Sequence, residues 1–175
     1  MEIRGPSRTA INTAMQRAAH LLLDDEPKIL ADTFARAFAG YTSDADMLDA
    51  MDPSRWIAFP RMRLLFAMRN RYAEDVLAEA MIRGIEQYII LGAGLDSFAY
   101  RRPDLMASLD VFEVDHPASQ AWKRARVAQL GIAVPARLHH LAIDFERQTL
   151  GEGLAQSVVD LARPVYLSKI GRAHV

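Results

Sequence analysis

There is no cysteine in the 175 residues. That absence excludes disulfides and thiolate metal sites and fits a reducing compartment. A surplus of one charge is also lacking: 21 basic against 22 acidic side chains leave a formal net charge of −1. Such a balance gives no electrostatic footprint for nucleic acid or for an anionic membrane. No apolar run approaches the ~18 residues a membrane span needs, and the opening MEIRGPSRTAINTAMQ has no apolar signal-peptide core. These exclusions predict a cytoplasmic chain with neither nucleic acid nor membrane as partner. Internal repeats and low-complexity tracts are missing as well. What is present is ordinary for a globular protein, 51% hydrophobic and 25% charged, and a chain of about 150 residues can bury roughly two thirds of its unfolded surface.

Hydrophobic periodicity divides the chain into two halves. From Thr9 to Leu23 the apolar positions Ile11, Ala14, Met15, Ala18, Ala19 and Leu22 follow a helical stripe. A second helix is predicted over Lys28 to Ala39, closed by Gly40, and a short third one capped by Asp44 or Asp46. Pro53 to Pro60 is a break, followed by one long helix from about Arg61 to Arg83. Then the period changes. Tyr88 to Leu91 is a continuous apolar run of strand length, as expected of a parallel strand covered on both faces. A helix is predicted only after the RRP break, then a strand over Leu109 to Pro117, a helix over Ser119 to Gly131, a strand over Arg137 to Asp144, a helix around Leu150 to Leu161, and the start of a fourth strand in RPVYLS. Strands alternating with helices predict an α/β fold with a doubly wound parallel sheet. The expected organisation is a helical cap over 1–84, the first part of an α/β domain over 85–169, and a tail over 170–175.

The chemistry concentrates in QYIILGAGLDSF. In open α/β sheets the ligand lies beyond the carboxyl ends of the strands, closest to the first strand–helix turn. Gly92, Ala93 and Gly94 occupy that turn, where glycine allows a sharp bend and a close backbone approach. An acid at the end of the second strand can accept bonds from ribose hydroxyls, and EVD offers two, Glu113 and Asp115, which alternation places on the same face. A dinucleotide fingerprint would need a third glycine where Ser97 stands, and Asp96 would repel a pyrophosphate. A cationic adenosyl cofactor without phosphates meets no such objection, and S-adenosyl-L-methionine is one. Asp144 and Phe145 follow the third strand, where an acid could receive an adenine amino group while the ring covers the base; Asp144 could instead cap a helix.

The phrases SRTAINTAMQRA, DDEPKILAD, RNRYAEDVL, ILGAGLDSFAYR, VFEVDHPASQAWKR and AIDFE resemble the leucine carboxyl methyltransferase family, in particular its bacterial S-adenosylmethionine-dependent O-methyltransferases. The resemblance runs from Ser7 to Ser168. It implies a class I methyltransferase fold, Rossmann-like, with a helical cap and the first three to four strands of the sheet. It also implies that Asp115 holds the ribose, that Asp144 and Phe145 contact the adenine, that Arg69 grips the methionine carboxylate, and that Arg17 adds a second cationic contact. The family's next acid would fall near Ile170, within IGRAHV, a segment that resembles translated sequencing adapter; on that reading the chain is an inactive fragment of a longer enzyme.

Other readings of the same residues stay open. Arg69 and Arg71 with Glu74 and Asp75 could form a solvated helix face laced by i,i+4 pairs. Adjacent His139 and His140 point to opposite faces of a strand and cannot share a metal. His116 before Pro117 reads as turn chemistry, and Met62, Met68 and Met81 as core filling. Methyl transfer to a carboxylate of a small molecule or peptide needs no general base, whereas a hydroxyl acceptor does. The rival functions are an NAD-type oxidoreductase and a non-catalytic interaction module.

Overall fold

The computed structural model describes residues 6–51 and 60–170. The predicted break at 53–60 therefore lies almost wholly outside the described residues, as does all of the tail beyond Ile170. Helix α1, Arg8–Leu23, begins where the Ser7 hydroxyl accepts from the Ala10 amide at 3.1 Å. Helix α2 is shorter than predicted, only Ala35–Phe38. Residues 28–34 are held in a non-helical path by side chains: the Ile29 and Leu30 amides donate to His20 Nε2, and the Phe34 and Ala35 amides donate to Asp32 Oδ1. Side-chain acceptors thus replace the bonds a helix would have made. Helix α3, Asp44–Ala50, is capped by Ser43, not by Asp44 or Asp46, which instead occupy its first turn. Helix α4, Pro60–Ile82, matches the predicted long helix.

Strand β1, Gln87–Leu91, has all five residues buried. Two four-residue helices follow, α5 at Phe98–Arg101 and α6 at Pro103–Met106, so helix forms on both sides of Arg102 and not only after it. Strand β2 is Asp110–Asp115, and α7, Pro117–Gln129, starts two residues earlier than predicted because His116 caps it and Pro117 suits its first turn. Strand β3 is Leu138–Ala142, α8 is Leu150–Ala155, about half its predicted length, and β4 is Tyr166–Ser168. Together they form a four-stranded sheet of order β3-β2-β1-β4, parallel throughout.

Alternation sorts the sheet's side chains between two layers. On one face Tyr88, Ile90, Val111 and Leu138 pack with Leu77 of α4, Phe98 and Ala99 of α5, and Met106 of α6. On the other, Ile89, Leu91, Phe112 and Val114 pack with Ile143 and with Leu154 of α8. Helices α1 to α3 form a third cluster with Leu95 and Val127, so the N-terminal helices sit against the turn after β1 and against α7. The methionines expected in the core diverge: Met81 packs against the first layer, but Met62 and Met68 are 36% and 55% exposed. Among the described residues, no helix is long and apolar enough to cross a membrane.

Candidate functional site

The strand order reverses between β1 and β4, because β2 and β3 lie on one side of β1 and β4 on the other. Beyond the strand ends, the structure has a cleft of ≈ 790 Å³ at the place where open α/β sheets hold ligands. Its floor is the turn after β1. The amides of Gly92 and Ala93 both donate to the Val114 carbonyl, at 2.8 and 3.1 Å, which folds the turn back onto β2. Gly92 and Gly94 have φ of +65° and +52°, which favours glycine. At Gly94 the space is closed as well: a Cβ would meet the Ala10 Cβ at 3.2 Å and Asp115 Oδ2 at 3.9 Å.

Arg17, Arg69, Gly92, Ala93, Gly94, Asp115, Asp144 and Phe145, the candidates from the sequence, all line this one cleft. They arrive on five different segments. Asp115 ends β2 and accepts from the Gly94 amide at 2.5 Å and the His116 amide at 2.6 Å, one on each oxygen. Each oxygen keeps a further acceptor position for a ligand hydroxyl. Glu113, its rival by alternation, is not in the cleft. It is buried on the same face one step back, paired with Lys123 at 2.6 Å and 3.5 Å from His140 Nδ1. Burial, the largest influence, pushes the Glu113 carboxyl up, but the charges of Lys123 and His140 and their hydrogen bonds hold it below its ordinary value.

The two arginines differ. Arg17 is buried and committed: Nε bonds Asp32 at 2.7 Å and Nη2 donates to the Leu95 carbonyl at 2.8 Å. Arg69 has no carboxylate partner among the described residues; its Nε is buried without a hydrogen bond, and its guanidinium lies 4.6 Å from the Phe66 ring centroid. Its pKa is lowered, first by burial and then by the Arg17 charge. An uncompensated cation half withdrawn from water favours an anion beside it. The solvated-face alternative holds only for Arg71 and Asp75, an exposed i,i+4 pair at 2.7 Å. Glu74 is buried and bonds Arg101 at 2.5 Å; burial pushes its carboxyl up by more than Arg101 draws it down.

Asp144 does not cap a helix. Its Oδ1 accepts from the Glu146 amide at 3.1 Å within a tight turn, and Thr149 caps α8. His116 Nδ1 accepts from the Ala118 amide at 3.2 Å, which assigns the proton to Nε2, 4.0 Å from Asp144. His139 stacks on Phe112 and His140 faces Glu113, on opposite sides of β3. Among the described residues no group of three acidic or histidine side chains is placed to hold a metal.

Several lining residues escaped sequence reasoning: Met62, Phe66 and buried Asn70 join Arg69 on α4, and Ala10 and Thr13 join Arg17 on α1. Their spacing by three and four residues marks one face of each helix, a signal that the sequence carried. Asp96 also lines the cleft, with its Oδ1 accepting from the Phe98 amide at 2.7 Å. Ile170, assigned to the tail from sequence, sits on its rim.

Comparison with known proteins gives concordant results. The family model described as leucine carboxyl methyltransferase matches residues 10–172. A Mycobacterium avium protein is 35% identical over 167 residues, covering 91% of this chain and 53% of its own length. A Mycobacterium bovis BCG protein is 32% identical over 176 residues, covering 95% and 49%. YktD of Bacillus subtilis is 42% identical over 93 residues, covering 53% of this chain and 31% of its own. The names of all three assign them, provisionally, to S-adenosyl-L-methionine-dependent methyltransferases. The chain thus spans about half the length of the mycobacterial relatives and less of YktD.

Proposed function

Since the chain belongs to the leucine carboxyl methyltransferase family, we propose that its cleft binds S-adenosyl-L-methionine and that the whole protein is an O-methyltransferase. The observation that carries this reading is one cleft with the Asp115 carboxylate at its floor and the unpaired Arg69 cation on its wall. The cradle fits the cofactor. Gly94 supplies a left-handed backbone at a place where a Cβ would press on Ala10, Asp115 retains acceptor capacity for ribose hydroxyls, and the orphaned Arg69 Nε suits a carboxylate. Asp144 and Phe145, consecutive after β3, line the same cleft and offer an acceptor beside an apolar ring, which suits an adenine. When bound, the cofactor supplies an electrophilic methyl group on a sulfonium centre.

The residues of this chain contribute binding, orientation and exclusion of water. Arg69 supplies the cation for a carboxylate, and Arg17, paired with Asp32, holds the Leu95 carbonyl of the turn. The acceptor is proposed to be a carboxylate or hydroxyl of a small molecule or peptide, and the carboxylate is favoured by His116, whose Nδ1 is already occupied by a backbone amide. An oxygen that is ionised at neutral pH needs no base. Domain assignment follows the same reading, with 1–84 as a cap over an α/β cofactor domain. Calorimetric titration with S-adenosylhomocysteine and with NAD tests it: binding of the first alone is expected, and binding of NAD alone would overturn it.

A further inference from the structure

We propose that Lys123 is a positioning residue for the cofactor turn, acting with Arg17 as a two-sided clamp on consecutive carbonyls. Arg17, from α1, holds the Leu95 carbonyl at 2.8 Å, and Lys123, from α7, holds the Asp96 carbonyl at 2.6 Å. Both cations are buried, and each is anchored by a buried acid behind it, Asp32 for Arg17 and Glu113 for Lys123. Lys123 does not line the cleft, so its reach is through the backbone alone.

The clamp explains a costly arrangement. A buried ion pair often stabilises no better than a well-packed apolar pair, so Lys123 and Glu113 need a reason beyond stability. The ammonium group's bond to Asp96 supplies one. Two further bonds run from the same residue: the Asp96 amide donates to the Ala93 carbonyl at 2.8 Å and the Asp96 carboxylate accepts from the Phe98 amide at 2.7 Å. The turn is therefore organised before a ligand arrives, which removes its ordering cost from binding. Tyr100, whose ring lies 5.9 Å from Lys123, and His140, beside Glu113, complete the charged and titratable surroundings.

The test compares Glu113→Gln with the double variant Lys123→Met/Glu113→Gln, which leaves no buried charge unpaired at that place. In the ligand-free chain, amide hydrogen exchange at Asp96 and Phe98 is expected to stay near the parent rate in the single variant. In the double variant it should rise about tenfold while β1 and β2 amides keep their protection. Should the double variant fail to fold, Lys123→Arg in the otherwise unchanged chain carries the same readout, with exchange expected to rise several-fold. Parent-like exchange at the turn in the double variant, or in Lys123→Arg where the double variant does not fold, would reduce Lys123 to a counter-ion and overturn the proposal. A second readout, S-adenosylhomocysteine affinity about tenfold weaker in the double than in the single variant, rests on the cofactor reading. Exchange is measured without ligand, so failure of that reading and failure of the clamp are separable.

Discussion

Replacing Arg69 by methionine should separate affinity from stability. The guanidinium makes no hydrogen bond at Nε and meets no carboxylate among the described residues, so the fold loses little without it. It forfeits the approach to Phe66 at 4.6 Å, about 0.5 to 1 kcal/mol for a partly exposed cation over a ring, and is relieved of repulsion from Arg17. Methionine keeps the unbranched stem and the helix propensity. The melting temperature should therefore move by no more than about 3 °C. A ligand carboxylate would lose a charge-assisted bond of roughly 1.5 to 3 kcal/mol, a weakening of about 10- to 150-fold. The assay is calorimetric titration with two nucleosides: S-adenosylhomocysteine, which carries the amino-acid carboxylate, and 5′-methylthioadenosine, which does not. Only the first should weaken. Equal losses for both would show that Arg69 shapes the cleft generally, and no loss for the first would remove the carboxylate from that wall.

Three further outcomes follow from the same geometry. Gly94→Ala forces a φ of +52° on a residue with a Cβ and presses that Cβ to 3.2 Å from Ala10; it should cost about 1 to 2 kcal/mol in urea unfolding and weaken S-adenosylhomocysteine in titration. His20→Ala strands the Ile29 and Leu30 amides, so it should cost about 2 kcal/mol, lower the melting temperature by roughly 4 to 8 °C, and be partly restored by His20→Gln. The Asp24, Asp32 and Glu113 carboxyls are all held below their ordinary values of 3.8, 3.8 and 4.5, by neighbouring cations that outweigh burial. A depressed folded pKa stabilises fully above the unfolded value and is lost as pH falls through the folded one, so urea midpoints should decline as pH drops below about 4.

Local patterns carried most of the architecture. The switch from a helical stripe to the unbroken run Tyr88–Leu91, with glycine immediately after, located β1 and its turn, and the acid at the end of the next strand located Asp115. What stayed hidden depended on partners distant in sequence. Residues 28–34 look helical by composition, but His20 and Asp32 take their amides, and neither bond has a periodic signature. Glu113 and Asp115 are equivalent by alternation; Lys123, ten residues on, and His140 on β3 accommodate one of them in the core. Arg17 and Arg69 look alike as isolated cations, and the Asp32 carboxylate with the Leu95 carbonyl makes the difference between them.

The sheet order has a consequence for the sequence of events in folding. β1 meets β2 at Gln87 and Asp110, a short excursion, whereas the Tyr88 hydroxyl meets Ser168 across 80 residues at 2.8 Å. Loop closure makes the second contact costlier by about 1 kcal/mol on length alone, and on a ribosome Ser168 emerges long after Tyr88 has been made. Until then the phenol has no partner, although it belongs at the centre of a layer with Phe98 and Tyr166. Without β4, β1 would lack its neighbour along one edge and the Tyr88 hydroxyl its partner, so both are completed only by the last strand of the sheet.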